Sequence, residues 1–169
     1  ADDSPGVLGY SLLMARGPYN IPNVRCEGKP VYTNKIRFGA FRGFGNPQVT
    51  FAGEQQIDEI AKEAGIDPIK IRRRNMLAEG EPWFLGQEVR SSGLAACIDA
   101  VEAASNWKTS GMSVRSNRGC RKAMGVAVTA HISGLLSTGA IVRLLEDGCV
   151  VLNTGAVDIG QGSDTVLAQ

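Results

Sequence analysis

Residues 38–48 read FGAFRGFGNPQ, and the interpretation of the whole chain starts from this stretch. Arg42 lies between Phe41 and Phe44 on a glycine-rich loop that a proline follows. Loops usually exclude bulky apolar side chains, because a buried loop leaves backbone polar groups without partners. The stretch therefore indicates either two core anchors beside a surface arginine, or a loop whose phenylalanines line a ligand pocket.

A helix is predicted directly after this loop. Asn46 suits its N-cap, Pro47 its first position and Gly65 its end. Apolar residues recur between these ends at helical spacing: Ile57, Ile60, Ala61 and Ala64. Asp67 predicts the cap of a second helix, and Ser91 or Ser92 opens a third. The third helix has an apolar face, formed by Leu94, Ile98 and Val101.

The remaining segments are predicted as strands, loops and one polar linker. Residues 1–37 are predicted as strand and loop, with a β-prone part over 23–34. Strands are predicted at 121–132, 139–145 and 149–154, the last two joined as a hairpin. Helices and strands without a βαβ rhythm predict the α+β class with mixed sheets. We divide the chain into one subdomain over 1–107, a linker over 108–119 and the start of a second over 120–169.

Composition excludes several classes of protein. The net charge of +1 gives no reason to expect a nucleic-acid partner, and Arg72–Arg74 is interpreted as a solvated helix face. The four cysteines and one histidine have no metal-site spacing, so we expect buried, reduced cysteines and no metal ligands in this chain. Without a transmembrane or signal pattern, we expect a cytoplasmic protein with no membrane partner.

Gly160, Gln161, Gly162 and Ser163 form a second motif, a glycine turn before a short helix. Glycines let a ligand approach the backbone closely, and the Gln161 amide can both donate and accept hydrogen bonds. The N-terminus of the following helix is a natural site for a phosphate. An ordinary strand-to-helix turn explains the same residues, and the turn taken alone favours that interpretation, because the G-x-G pattern is common.

Taken in order, the motifs resemble one family. AFRGFGNPQ, then GIDPIKIRRRNML and TGAVDIGQGSDT, together with YNIPNVRCEGKPVYTN upstream, are similar to the molybdenum-binding subunit of the xanthine dehydrogenase and aldehyde oxidoreductase family. The resemblance runs from about Tyr19 to the end of the chain. It implies parts of two molybdopterin-binding subdomains and an oxidoreductase that hydroxylates an N-heterocycle or aldehyde with oxygen from water.

The resemblance also implies roles for individual residues. Arg42 would orient the substrate and stabilise negative charge that develops on it. Phe41 and Phe44 would contact the substrate, Phe44 by stacking. The turn of Gly160, Gln161, Gly162 and Ser163 would bind molybdopterin, as a mono- or dinucleotide, with molybdenum. Iron–sulfur clusters and FAD are expected on other domains or subunits, together with the rest of the molybdenum subunit.

The chain departs from the family pattern at two positions. The family's second aromatic ring aligns with Ala130 and His131, so His131 is a candidate substrate contact, although a lone histidine in a strand is more often structural. An expected substrate-binding arginine aligns with Tyr10, which argues against a purine oxidase. The resemblance places the family's glutamate base outside residues 1–169, so we expect this chain alone to be inactive. The alternative is a non-catalytic α+β domain that binds a nucleotide or other cofactor.

Overall fold

The computed structural model describes residues 4–36, 39–107, 115–117, 120–132 and 137–169. The chain divides into an N-terminal unit, residues 1–131, and a C-terminal unit, residues 132–169. The described elements are α-helices and two antiparallel hairpins, and the predicted α+β class is confirmed. Residues 108–114 and 118–119 of the predicted linker lie outside the described residues, so the predicted division into subdomains stays a prediction.

The first element is helix α1, Ser4–Met14, and our prediction of strand and loop is wrong for this segment. Gly6 and Gly9 disfavour a helix by local propensity, although Pro5 is tolerated in a first turn. Packing overrides that propensity, because α1 packs against the helix that follows the arginine loop. A side chain at Gly6 would lie 3.1 Å from the ring of Phe44, so the glycine permits the close approach.

The segment after α1 contains no strand over residues 23–34, all of which are described, so the β-prone interpretation is also wrong. Val31 and Tyr32 are highly exposed there. A β-prone sequence forms a strand only where a second strand satisfies its backbone hydrogen bonds. Tyr19, just before the segment, is buried and forms an isolated antiparallel bridge with Met76.

Three α-helices follow in the described part of the N-terminal unit: α2, Asn46–Ala64; α3, Pro68–Asn75; and α4, Leu94–Ser105. A 3₁₀ helix, Phe84–Gly86, lies between α3 and α4. Gly65 ends α2 with a φ of 65°, as predicted. Asp67 caps α3, also as predicted, by accepting hydrogen bonds from the backbone N–H groups of Ile69 and Lys70. The order of the helices is therefore confirmed.

Two helix starts differ from the prediction by one or two residues. Gly45, in the left-handed conformation, is the N-cap of α2, and Asn46 is its first residue. Gly93, not Ser91 or Ser92, is the N-cap of α4. At Asn46 the reason is tertiary: the side chain is buried and binds a distant segment of the chain. A one-residue shift at this helix start therefore changes the side chain's role completely.

The arginine run is not a uniformly solvated face, and that prediction is wrong for Arg72. Its side chain is fully buried, and its Nε and Nη1 donate to Glu54 Oε2 and Asp58 Oδ1, both at 2.8 Å. Glu54 also accepts hydrogen bonds from the Tyr19 hydroxyl and the backbone N–H of Val128. A buried charge needs such partners, and local sequence pattern does not reveal partners in other elements.

This network joins α2, α3, Tyr19 and the segment that leads to residue 131. Burial and the hydrogen bond to Glu54 raise the pKa of Tyr19, so its hydroxyl stays a donor. Burial alone would lower the pKa of Arg72, but its hydrogen bonds to Glu54 and Asp58 outweigh burial and raise it. The adjacent hydrophobic core is formed by Tyr19, Ile69, Ile98 and Val128.

Helix α4 presents only part of its predicted apolar face to this core. Ile98 is buried and Leu94 packs against the core, whereas Val101, on the same predicted face, is 56% exposed. Strands β1, Arg115–Asn117, and β2, Cys120–Lys122, form a short hairpin. The predicted strand over 121–132 is thus confined to β2, since residues 123–132 have no regular structure.

The C-terminal unit follows its prediction closely. Strands β3, Ala140–Leu144, and β4, Val150–Thr154, pair in antiparallel register with Leu144 opposite Val150. Gly148 supplies the positive φ of 84° that the connecting turn requires. Helix α5, Ser163–Ala168, follows the glycine turn.

Three cysteines differ from the expectation of burial. Cys26, Cys97 and Cys149 are exposed free thiols. They lie on an irregular segment, on α4 and beside the β3–β4 turn, where no core covers them.

None of the described helices is both long enough and apolar enough to cross a membrane.

Candidate functional site

Four consecutive residues before α2 have left-handed backbone conformations. The φ angles of Arg42, Gly43, Phe44 and Gly45 are 60°, 89°, 47° and 100°. Glycine adopts such angles freely, but each non-glycine residue there is disfavoured by about 1–3 kcal/mol. Strained residues of this kind persist only where their surroundings fix them, and they cluster at ligand-binding and active sites.

Helix α1 fixes this loop from one side. A Cβ atom on Gly45 would lie 2.3 Å from the carbonyl oxygen of Val7, so only glycine fits there. The Ser11 hydroxyl lies within hydrogen-bond distance of the carbonyl oxygens of Val7 (2.9 Å) and Gly45 (3.0 Å). The C-terminal end of the loop, at Gly45, is thereby held against α1.

The predicted substrate residues on the loop differ in exposure. Phe41 is 95% exposed, and Arg42 is also exposed. Phe44 is half-buried, and its ring meets Tyr10 edge-to-face with 5.1 Å between the ring centroids. The loop therefore displays Phe41 and Arg42 while Phe44 anchors it.

Tyr10 brings a second predicted residue to the same place. The ring of exposed His131 stacks on Tyr10, with 6.3 Å between centroids and 29° between planes. Phe44 and His131 are thus joined through Tyr10, the residue that aligned with the family's arginine. No pattern in the sequence indicated this role, because Tyr10 lies in a helix that was not predicted.

Asn46 is a candidate site residue that sequence reasoning missed. Its buried amide Nδ2 lies 2.9 Å from the carbonyl oxygen of Ala130 and 3.3 Å from Nδ1 of His131. Its Oδ1 accepts a hydrogen bond from the Thr50 hydroxyl at 3.1 Å. An asparagine before a helix indicates an N-cap, so the sequence predicted a capping side chain. The structure instead shows a side chain that contacts residues 130 and 131.

A cavity of about 1110 Å³ opens beside His131 in the N-terminal unit. Its described lining combines apolar side chains with several polar ones: Leu77, Trp83, Val89, Leu94, Glu88 and Arg90. Thr129, Ala130 and His131 form one wall. Among the predicted substrate residues that the structure describes, His131 lines this cavity, whereas Phe41, Arg42 and Phe44 do not.

The glycine turn in the C-terminal unit is organised by its own side chains. Gln161 Nε2 donates to the carbonyl oxygen of Val157 and to the Ser163 hydroxyl, and Gln161 Oε1 accepts from the backbone N–H of Ile159. Gln161 is exposed, and a carbonyl oxygen accepts two hydrogen bonds, so its Oε1 keeps capacity for a ligand.

Asp158 occupies the amino end of this turn. Its Oδ1 accepts from the backbone N–H of Gly160 at 2.6 Å, and this hydrogen bond lowers the pKa of Asp158. A carboxylate at this position opposes a second anion, so the turn does not favour the phosphate considered above. Within the described residues, no atom lies within 4 Å of a Cβ position on Gly162, which leaves room for a flat ligand. The turn therefore fits a neutral, hydrogen-bonding ring edge such as that of a pterin.

Comparisons with known proteins agree with these motifs. Models of a molybdopterin cofactor-binding domain match residues 1–76 and residues 100–169. The chain is 36% identical, over 175 residues and 95% of its length, to the xanthine dehydrogenase molybdenum-binding subunit of Escherichia coli O157:H7. It is 32% identical, over its whole length, to the xanthine dehydrogenase/oxidase of Gallus gallus.

A solved structure gives the same result. The aldehyde oxidoreductase from Desulfovibrio desulfuricans matches 89% of this chain with a TM-score of 0.71 and 29% identity. The chain spans 23% of the Escherichia coli relative, 13% of the Gallus gallus relative and 17% of the solved chain. This sequence therefore belongs to the xanthine dehydrogenase and aldehyde oxidoreductase family of molybdenum enzymes, within its molybdopterin cofactor-binding domains.

Proposed function

We propose that this chain is a section of the catalytic subunit of a molybdenum hydroxylase, which oxidatively hydroxylates an N-heterocycle or an aldehyde with oxygen from water. The left-handed loop from Arg42 to Gly45 is the observation that carries this proposal. Two non-glycine residues in a disfavoured conformation, fixed by α1, are typical of a binding loop and not of a surface turn.

Arg42 is proposed to orient the substrate and to stabilise the negative charge that develops on it. A guanidinium is always charged and offers planar donors, so it suits a carbonyl oxygen or a ring nitrogen. A donor fixed before the reaction needs no reorganisation when charge develops, which is the basis of electrostatic catalysis. The strained backbone of Arg42 and its neighbours provides this preorganisation.

The aromatic residues are proposed to form the substrate's surroundings. Phe41 is more exposed than Phe44 and supplies apolar surface for a flat substrate. Phe44 keeps a half-exposed ring at the place where the family stacks its substrate, while Tyr10 fixes the plane of that ring. His131, whose ring stacks on Tyr10, supplies a polar contact.

The turn of Gly160, Gln161, Gly162 and Ser163 is proposed to hold the molybdopterin. Gln161 Oε1 would accept from a pterin N–H group, and the glycines would allow the ring edge to approach the backbone. When bound, the molybdenum cofactor would accept the two electrons that the substrate loses. Ser163 stabilises the turn through Gln161 and need not contact the cofactor directly.

The partners are proposed from the same assignment. Electrons would leave through iron–sulfur clusters and FAD on other domains or subunits, and the rest of the molybdenum subunit would complete the site. We predict a cytoplasmic enzyme that acts on a small molecule, without a nucleic-acid or membrane partner.

The test uses the complete enzyme that contains this sequence. We expect the purified protein to contain molybdenum and pterin, and to reduce an artificial dye with an aldehyde or an N-heterocycle as substrate. An anaerobic assay in water labelled with ¹⁸O should place the label in the product. Protein that contains neither molybdenum nor pterin would contradict the proposal and favour a non-catalytic domain.

A further inference from the structure

The amide of Asn46 has an orientation that its neighbours determine. The carbonyl oxygen of Ala130 can only accept hydrogen bonds, so the Asn46 atom that lies 2.9 Å away must be the nitrogen. The Thr50 hydroxyl donates to the other atom, the oxygen, at 3.1 Å. The side chain is buried, which protects this arrangement from exchange with water.

The second hydrogen of that amide is available for His131. Nδ1 of His131 lies 3.3 Å from Asn46 Nδ2, and the other acceptor nearby, the Thr129 hydroxyl at 3.4 Å, also lies 3.2 Å from the Thr50 hydroxyl. A nitrogen that accepts a hydrogen bond carries no proton, so the proton of the imidazole is on Nε2. Stacking on Tyr10 restricts the ring plane in addition.

The effect reaches the ring of His131, a candidate substrate contact that Tyr10 joins to Phe44. His131 is exposed and lines the cavity of about 1110 Å³, so its Nε2–H is the ring donor left for a ligand. Asn46 directly follows the strained loop, so one side chain connects the start of α2 to the position of His131. An N–H donor suits the lone pair of an aldehyde oxygen or of a heterocycle nitrogen.

We propose that Asn46 is a positioning residue, which holds His131 in its Nε2–H tautomer so that Nε2–H donates to the substrate. The contact with the substrate rests on the proposed function, whereas the tautomer of His131 does not depend on it. Asn46 acts through His131 and has no direct contact with the substrate.

The tautomer is tested by NMR on the ¹⁵N-histidine-labelled complete enzyme, in which the signal of His131 is assigned by its loss in His131→Phe. Two-bond ¹H–¹⁵N correlations at alkaline pH show which ring nitrogen carries the proton. We expect Nε2–H in the wild-type chain. In Asn46→Asp the carboxylate becomes an acceptor, and we expect the proton to move to Nδ1. Asn75→Asp is the matched control, because Asn75 also donates to a backbone carbonyl but does not contact His131.

An Nδ1–H tautomer in the wild-type chain would overturn the inference even if the variant fails to fold. An unchanged tautomer in folded Asn46→Asp would also overturn it. Neither result depends on whether the protein is an enzyme, so failure here is distinct from failure of the proposed function.

A second measurement tests the connection to the substrate in the complete enzyme. We expect Asn46→Asp and His131→Phe, which keeps a ring beside Tyr10 but has no N–H donor, each to lower kcat/KM about tenfold, as loss of one well-placed hydrogen bond does. Since both remove the same donor, the double variant should be no worse than either single one. Losses that multiply in the double variant would show that Asn46 acts independently of His131 and would contradict the proposal.

Discussion

Phe41 and Phe44 lie on the same loop, yet their side chains make different contacts. Phe44 packs edge-to-face on Tyr10 and close to Gly6, whereas Phe41 is almost fully exposed. Burial of apolar area and aromatic packing both stabilise a fold, and an exposed ring contributes neither. The two phenylalanines are therefore a matched pair for separating stability from substrate binding.

We predict that Phe44→Ala lowers the free energy of unfolding by about 2 kcal/mol, because it removes a half-buried ring and its contact with Tyr10. Phe41→Ala should change it by less than about 0.5 kcal/mol, as exposed substitutions do. Urea denaturation of the two variants measures both values. In the complete enzyme, Phe41→Ala should raise KM. Equal stability losses would contradict the assignment of Phe44 as the loop's anchor.

Helices α2 and α3 are joined by charges as well as by apolar packing. Arg72 is completely buried between Glu54 and Asp58, and Glu54 reaches Tyr19 and the backbone of Val128. The neighbouring Arg73 pairs with Asp99 and Glu102 on α4, but these side chains remain partly exposed. The neighbouring residues Arg72 and Arg73 of α3 thus form a buried and a partly exposed set of ion pairs, respectively.

The two kinds of ion pair should differ in their effect on stability. Arg72→Met leaves the buried Glu54 without its cation and should lower the free energy of unfolding by about 3–5 kcal/mol. Arg73→Met removes partly solvated pairs and should lower it by less than about 1 kcal/mol. Urea denaturation again provides the measurement. A small loss for Arg72→Met would mean that water or relaxation of the helices compensates Glu54.

The sequence predicted those parts of the fold that local chemistry determines. The cap at Asp67, the helix end at Gly65 and the β3–β4 hairpin each depend on a few neighbouring residues, and each is confirmed. Helix α1 and the burial of Arg72 were not predicted, because both depend on partners elsewhere in the chain. Propensity and periodicity contain no information about such partners.

The same distinction applies to the candidate site. The motif predicted that Arg42 and the phenylalanines lie on one loop, and the structure adds the strained backbone and its fixation by α1. The connection from Phe44 through Tyr10 to His131, and the role of Asn46, require the tertiary structure. Resemblance to a family supplied the residue roles, which stay predictions.

The proposal gives the two compact units different roles, and this difference is its central claim. Arg42 of the N-terminal unit would act on the substrate, and Gln161 of the C-terminal unit would hold the cofactor. Arg42→Ala should therefore affect chemistry, and Gln161→Ala should affect occupancy.

The decisive measurement is molybdenum content together with the rate of molybdenum reduction by substrate per bound metal, for both variants of the complete enzyme. We predict that Arg42→Ala keeps near wild-type metal content and loses about a hundredfold in rate, because one fixed charge-stabilising donor is gone. Gln161→Ala should contain less metal but keep its rate per metal. An empty metal site in Arg42→Ala, or full occupancy with a collapsed rate in Gln161→Ala, would contradict the account.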